Sequence, residues 1–215
     1  KSSGHEYLRE LKKKTDQQKV LLRISLPLIL RSWDEPFIRS MVNFCLSIGI
    51  THFESANIGG LSFLKKEAEG RVLDISADFA IYALNHEAIG QIKDLGFSKV
   101  TLSVEDDRPN IQELARSDAL KSLKIILFKD LPLFIAESCS LTALHNGCPT
   151  SKVCGYRTLE IEGEDKEIYE VHHELCKSIV LNKNSFDQAL EIYQMGLRGK
   201  DVQETTSSNF TKKLL

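Results

Sequence analysis

No apolar run in this chain is long enough to cross a membrane. The longest, such as Ile24–Leu30, fall far short of the ~18 residues a span requires. Neither sign of charge dominates: 28 Lys+Arg stand against 30 Asp+Glu, a net charge of -2. That balance excludes a dominant basic footprint for nucleic acid and leaves room only for a local patch. No apolar stretch follows Lys1-Ser2-Ser3-Gly4-His5, so no signal peptide is expected and a cytoplasmic setting is. Several catalytic signatures are absent as well. His86-Glu87 has no second histidine at the zincin spacing, and there is no G-x-S-x-G elbow and no Walker loop. What remains is ordinary globular composition, 42% hydrophobic and 27% charged over 215 residues, enough to bury a sizeable core.

The order of the apolar segments predicts an α/β fold. Residues 1–19 are polar and helix-prone, with Tyr7, Leu8 and Leu11 as a thin stripe and Lys12-Lys13-Lys14 as a solvated end. Val20–Leu30 is a continuous apolar segment of the kind seen in buried parallel strands. Ser32-Trp33-Asp34-Glu35 resembles a capping box, with Pro36 in the first turn of a helix whose stripe is Phe37, Met41, Phe44, Cys45 and Ile48. Ile50–Ala56 reads as a strand, Asn57-Ile58-Gly59-Gly60 as a turn able to offer backbone N–H groups, and Leu61–Glu69 as a helix. Strand regions at Val72–Leu84, Lys99–Val104, Leu123–Phe128 and Leu131–Ala136 alternate with helices at His86–Gly96 and Pro109–Ser122. Such alternation implies parallel βαβ units. Five or six strands fall before residue 137, fewer than a closed eight-stranded barrel of ~250 residues needs. The expected architecture is therefore a partial or modified TIM-like β/α barrel, or an open α/β sheet. Its portion is 1–137, followed by a cysteine-bearing extension and closing helix over 138–200 and a polar tail over 201–215.

Cysteine is scarce but uneven. Cys45 sits alone in a helical stripe and reads as a buried small hydrophobe. The other four follow Cys139-x8-Cys148-x5-Cys154-x21-Cys176. The first stretch, Cys139–Cys154, is loop-like. Between the third and fourth cysteines, Leu159 and Ile161, then Tyr169 and Val171, alternate with polar residues around Gly163-Glu164-Asp165. That is a β-hairpin, able to return the chain to its start. Four converging thiolates suit an iron–sulfur cluster or zinc, and a site without metal also stays open at this point. His145, His172 and His173 are alternative ligands or exposed side chains. Ser185-Phe186-Asp187-Gln188 opens a final helix with Ala189, Leu190, Ile192 and Tyr193 on one face, and Asn209-Phe210-Thr211 is a short chance match to a glycosylation acceptor. In β/α barrels functional groups collect at C-terminal strand ends. Asp78, Glu105 and Glu137 are the catalytic candidates there, and Arg31, Asn57, Asn85 and Ser103 the substrate-binding ones.

Asp78-Phe79-Ala80-Ile81-Tyr82-Ala83-Leu84-Asn85, Leu95-Gly96-Phe97 and Val100-Thr101-Leu102-Ser103-Val104-Glu105, taken in order, carry a resemblance to the collagenase-like peptidase family, family U number thirty-two. It continues in Asn57-Ile58-Gly59-Gly60, Leu131-Pro132-Leu133 with Glu137 and Cys139, and then Cys148, Cys154, Cys176 and Val180-Leu181-Asn182. It covers roughly residues 20–200. Departures are Ala80 and Tyr82 where the family often has Ser and Asn, Val104 for a proline, and Glu160-Ile161 for an Asp-Arg pair. The resemblance implies a modified barrel whose four cysteines hold a 4Fe-4S cluster. The implied chemistry is oxygen-independent hydroxylation of RNA bases or a small aromatic or quinone precursor. A peptidase activity, or a non-catalytic zinc-stapled binding domain, is the alternative. Expected partners are RNA and the remainder of a longer polypeptide or a second subunit that completes the barrel.

Overall fold

The computed structural model describes residues 2–116, 122–149, 158–164, 166–174, 176–182, 186–195 and 203–206. The chain forms two compact units, the first built on residues 1–126 with the segment that begins at Leu190, the second on 127–189. No helix among the described residues is long and apolar enough to cross a membrane.

The first unit is a β/α alternation. Helix α1 (Ser2–Gln17) precedes β1 (Arg23–Ser25); then follow α2 (Glu35–Ser47), β2 (His52–Ser55), α3 (Ile58–Glu67), β3 (Asp74–Ala77), α4 (His86–Leu95), β4 (Lys99–Thr101), α5 (Arg108–Ala115) and β5 (Leu123–Lys129). The strands pair in sequence order and all in parallel, and the sheet curls as a half-barrel. Paired residues and residues two apart share a face. One face carries Ile24, Phe53, Ile75, Val100, Leu123 and Ile125, all but Ile24 at most 3% exposed. Helices cover it with Ile38, Val42, Leu46, Leu61, Leu64, Ile89, Ile92, Ile111 and Leu114. The first helix closes over α2, the ring of His5 stacking on Phe44 at 3.9 Å with the Arg9 guanidinium 5.1 Å from the same ring.

Several boundaries differ from the sequence reading, each for a local reason. Val20–Leu30 contributes only the three residues of β1; Val20 and Leu21 are exposed, because β1 is an edge strand that runs alongside β2 for three residue pairs. Ser32 does not cap α2. Asp34 is at the N-cap with helical backbone and no side-chain cap, since the chain already winds at Arg31, whose carbonyl accepts from the N–H groups of Asp34 and Glu35. The deep stripe of α2 is Ile38, Val42, Cys45 and Leu46, with Phe37, Met41, Phe44 and Ile48 half-buried at its flank. Gly59 and Gly60 belong to the first turn of α3 rather than to a free turn. In the Val72–Leu84 region the strand stops at Ala77, where Asp78 caps a single 3-10 turn, Phe79–Ile81, that ends on Tyr82 at φ 69°. The described part of the Pro109–Ser122 helix is α5, which ends at Ala115.

The second unit holds a separate antiparallel sheet in the order β6 (Pro132–Ala136), β9 (Lys177–Asn182), β8 (Ile168–Glu174), β7 (Thr158–Glu162). Leu131–Ala136 is thus not a further parallel strand: β6 pairs with β9, Ala136 opposite Ser178. The predicted hairpin is present, with β7 and β8 in register from Thr158↔His172 to Glu162↔Ile168. The stretch after Cys139 is not all loop; it contains helix α6 (Ser140–Leu144) before Asn146 and Gly147 turn the chain at positive φ. The end of β5 pairs antiparallel with β10 (Phe186–Asp187). Helix α7 (Ala189–Gln194) starts where Asp187 accepts from the Ala189 N–H, and it buries Ile192 while Leu190 and Tyr193 are exposed, so the four predicted residues do not share a covered face. Ser185 and the Asn209 acceptor lie outside the described residues, and in the tail only Gln203–Thr206 is described, as a strand.

Candidate functional site

The polar face of the half-barrel carries a network the sequence reading missed. Glu54 of β2 accepts from the Ser76 hydroxyl of β3 at 2.8 Å and forms an ion pair with Lys124 of β5. Lys124 also donates to Ser76 at 3.4 Å. Three strand spacings separate β2 from β5, about 14 Å in a flat sheet. The direct Glu54–Lys124 contact therefore needs the curl, and it ties the curled sheet across its inner face. Side-chain exposure is 4% for Lys124 and 16% for Glu54, so this pair is largely desolvated.

A second group lies at the N-terminal ends of the same strands. Arg23 donates to the carbonyl of Phe53 at 2.7 Å, to that of Asp74 at 3.1 Å and to the Asp74 carboxylate at 3.0 Å. Ser98 donates to the same carboxylate, and His52 lies 3.6 Å from its other oxygen. Burial alone would raise the Asp74 carboxyl. The Ser98 hydroxyl and the Arg23 guanidinium outweigh it, so the group titrates below the usual carboxylate range. Burial, together with the charge of Arg23, pushes the Lys99 ammonium down. The folded-state value of Asp74 lies below its unfolded value, so its contribution is complete above about pH 4 and is lost as pH falls through the folded value. The stability advantage of the wild type over Asp74→Asn is thus expected to shrink on acidification in urea titrations. A constant offset down to about pH 2.5 would refute this assignment.

Most strand-end candidates of the first unit take part in local hydrogen bonds. Asn57 caps α3, accepting from the Gly60 N–H at 2.7 Å, and it donates to the Leu28 carbonyl at 3.1 Å. Asn85 caps α4 by accepting from Ala88 N–H at 2.8 Å. Asp78, 5% exposed, accepts from Phe79 N–H at 2.8 Å. The buried Ser103 hydroxyl accepts from Glu105 N–H at 3.2 Å. Arg31 is half-buried at the turn into α2. Glu105 is exposed and receives a hydrogen bond from Tyr82; that bond, with the charge of the carboxylate, raises the phenol.

In the second unit Glu137 is exposed and Cys139 half-buried at the junction of β6 and α6. Cys148 and Cys176 are exposed; Cys176 takes φ 62° in the tight turn between β8 and β9. Cys154 lies outside the described residues. Among the described residues no group of three or more His, Cys, Asp or Glu is gathered closely enough to hold a metal ion. Cys45 is buried as expected, and burial pushes its thiol up to about 11. His145 is exposed and His172 half-buried, with Nε2 3.0 Å from the Glu170 carboxylate. His173 is 4% exposed and not a surface hairpin residue: its Nε2 lies 2.5 Å from the Ser140 hydroxyl.

No family model, curated protein or solved structure matches the chain.

Proposed function

We propose that this chain is an iron–sulfur protein of the collagenase-like peptidase type, with Cys139, Cys148, Cys154 and Cys176 as the ligands. Its reaction is oxygen-independent hydroxylation of RNA bases or a small aromatic or quinone substrate. The observation that carries the reading is the β6–β9 register. With Ala136 opposite Ser178, the chain leaves β6 toward Cys139 at the same end of the strand pair at which it enters β9 from Cys176. Cys148 follows after one short helix, where Thr142 N–H donates to the Cys139 carbonyl at 3.0 Å and Gly147 N–H to the Thr142 carbonyl at 3.0 Å. Thiols are suitable donors for a soft metal centre, and Cys139, Cys148 and Cys176 are at least partly exposed where Cys45 is buried, although the three are not gathered at one point in this structure. When bound, such a cluster supplies electron transfer. Glu137, exposed two residues before Cys139, is the carboxylate suited to hold or move a proton beside it.

Protein purified without oxygen is expected to be brown, with iron and acid-labile sulfide at cluster stoichiometry. Colourless protein with no iron after anaerobic reconstitution would refute the reading, and stoichiometric zinc in a normally folded chain would favour the stapled binding domain. A hydrolytic reading has one observation in its favour, the Ser140–His173 contact. Covalent labelling of Ser140 by a fluorophosphonate is its test.

A further inference from the structure

We propose that Ser178 is the positioning residue for Cys139. This rests on the reading of Cys139 as a cluster ligand. Ser178 lies in β9, opposite Ala136 of β6 on one side and His173 of β8 on the other, and is 4% exposed. Its hydroxyl donates to the Ser138 carbonyl at 2.8 Å and accepts from the Ser140 N–H at 3.0 Å. One side chain thus bonds the backbone immediately before and immediately after Cys139. A hydroxyl is needed there because a single group must both donate and accept. Ser140 Oγ lies 3.2 Å from Ser178 Oγ and 2.5 Å from His173 Nε2, so the hold extends through Ser140 to the buried imidazole. Cys148 and Cys176 have no part in these contacts. The strand pair therefore sets the direction of one thiol of the set, and Ser178 is the group through which it does so.

The test compares wild type, Ser178→Ala and Ser178→Thr, first as metal-free reduced protein. Rates of iodoacetamide alkylation at Cys139, Cys148 and Cys176 are read by mass spectrometry of digests. Loss of the two hydrogen bonds in Ser178→Ala is expected to raise the Cys139 rate about tenfold and leave Cys148 and Cys176 within about twofold. Ser178→Thr, which keeps the hydroxyl, returns Cys139 toward wild type. An unchanged Cys139 rate overturns the proposal, and so does a rise at all three thiols together, which marks general loosening. After anaerobic reconstitution, Ser178→Ala is expected to lose iron to a chelator faster than wild type, and an equal rate counts against the positioning of a ligand. Wild type that takes up no iron while the metal-free contrast persists overturns the cluster reading and leaves the positioning of Cys139 supported.

Discussion

Lys124→Met is expected to destabilise the first unit by about 3–5 kcal/mol, the usual cost of removing one partner from a buried ion pair. For a chain of this size that is a fall in melting temperature on the order of 10 °C. The reason lies in what the substitution leaves behind. Glu54 would stay as a largely desolvated carboxylate with the Ser76 hydroxyl as its neutral donor. A buried charge without its counter-charge costs more than the pair contributed. The double variant Glu54→Gln with Lys124→Met is expected to recover most of the loss, because the amide oxygen still accepts from Ser76 and no charge remains. Urea unfolding of the wild type, both single variants and the double variant gives the coupling directly. If Lys124→Met costs less than about 1 kcal/mol, water reaches Glu54 and the pair does not tie the curled sheet.

The network was hidden for a reason visible in the strands themselves. Val20–Leu30 reads as a continuous apolar segment, the pattern of strands buried on both faces, and Leu123–Phe128 simply as a strand. Yet the first four strands place polar residues two apart, Arg23 and Ser25, His52 and Glu54, Asp74 and Ser76, Lys99 and Thr101, and β5 adds Lys124 to the same face. That period of two marks a sheet with helices on one face and a polar inner face, and a count of alternation would have found it. The βα order was legible because each helix carries its own start and stop, as at Asn85 and Gly96 around α4. The same fact bears on the strand-end candidates. Where a strand passes to a helix in two or three residues, the polar residue at the strand end is also the N-cap, and Asn57, Asp78 and Asn85, the substrate-binding and catalytic candidates of the sequence, all cap such a turn. The place of Leu131–Ala136 was not legible at all. Its apolar run suits either sheet, and the choice rests on β9, more than forty residues later in the chain. Ser178 and His173 carry no local signal either, because their role comes from register across three strands.

Gly60→Ala should produce the second large loss, about 2–3 kcal/mol, by overpacking rather than by loss of charge. A Cβ built on Gly60 would clash with Ser55 Oγ and would lie 3.3 Å from Ser55 Cβ and 3.4 Å from Leu26 Cδ1. The first of these is impossible without movement. Ser55 has little freedom to move: it is fully buried, and its hydroxyl donates to the Asn57 carbonyl at 2.8 Å. Shifting it would break that bond beside the residue that caps α3, so the clash and the cap are coupled. The usual preference of helices for alanine over glycine, about 1 kcal/mol, runs the other way and is outweighed. Ser55→Ala removes the offending oxygen. The double variant should therefore be more stable than Gly60→Ala alone, and more stable than the summed losses of the two single variants, though still below wild type because the Ser55 Cβ contact remains tight. Thermal melts of the four proteins decide the matter. Equal stability of Gly60→Ala and wild type would mean that α3 can lift from β2 at no cost, and the close approach assigned to that glycine would be wrong.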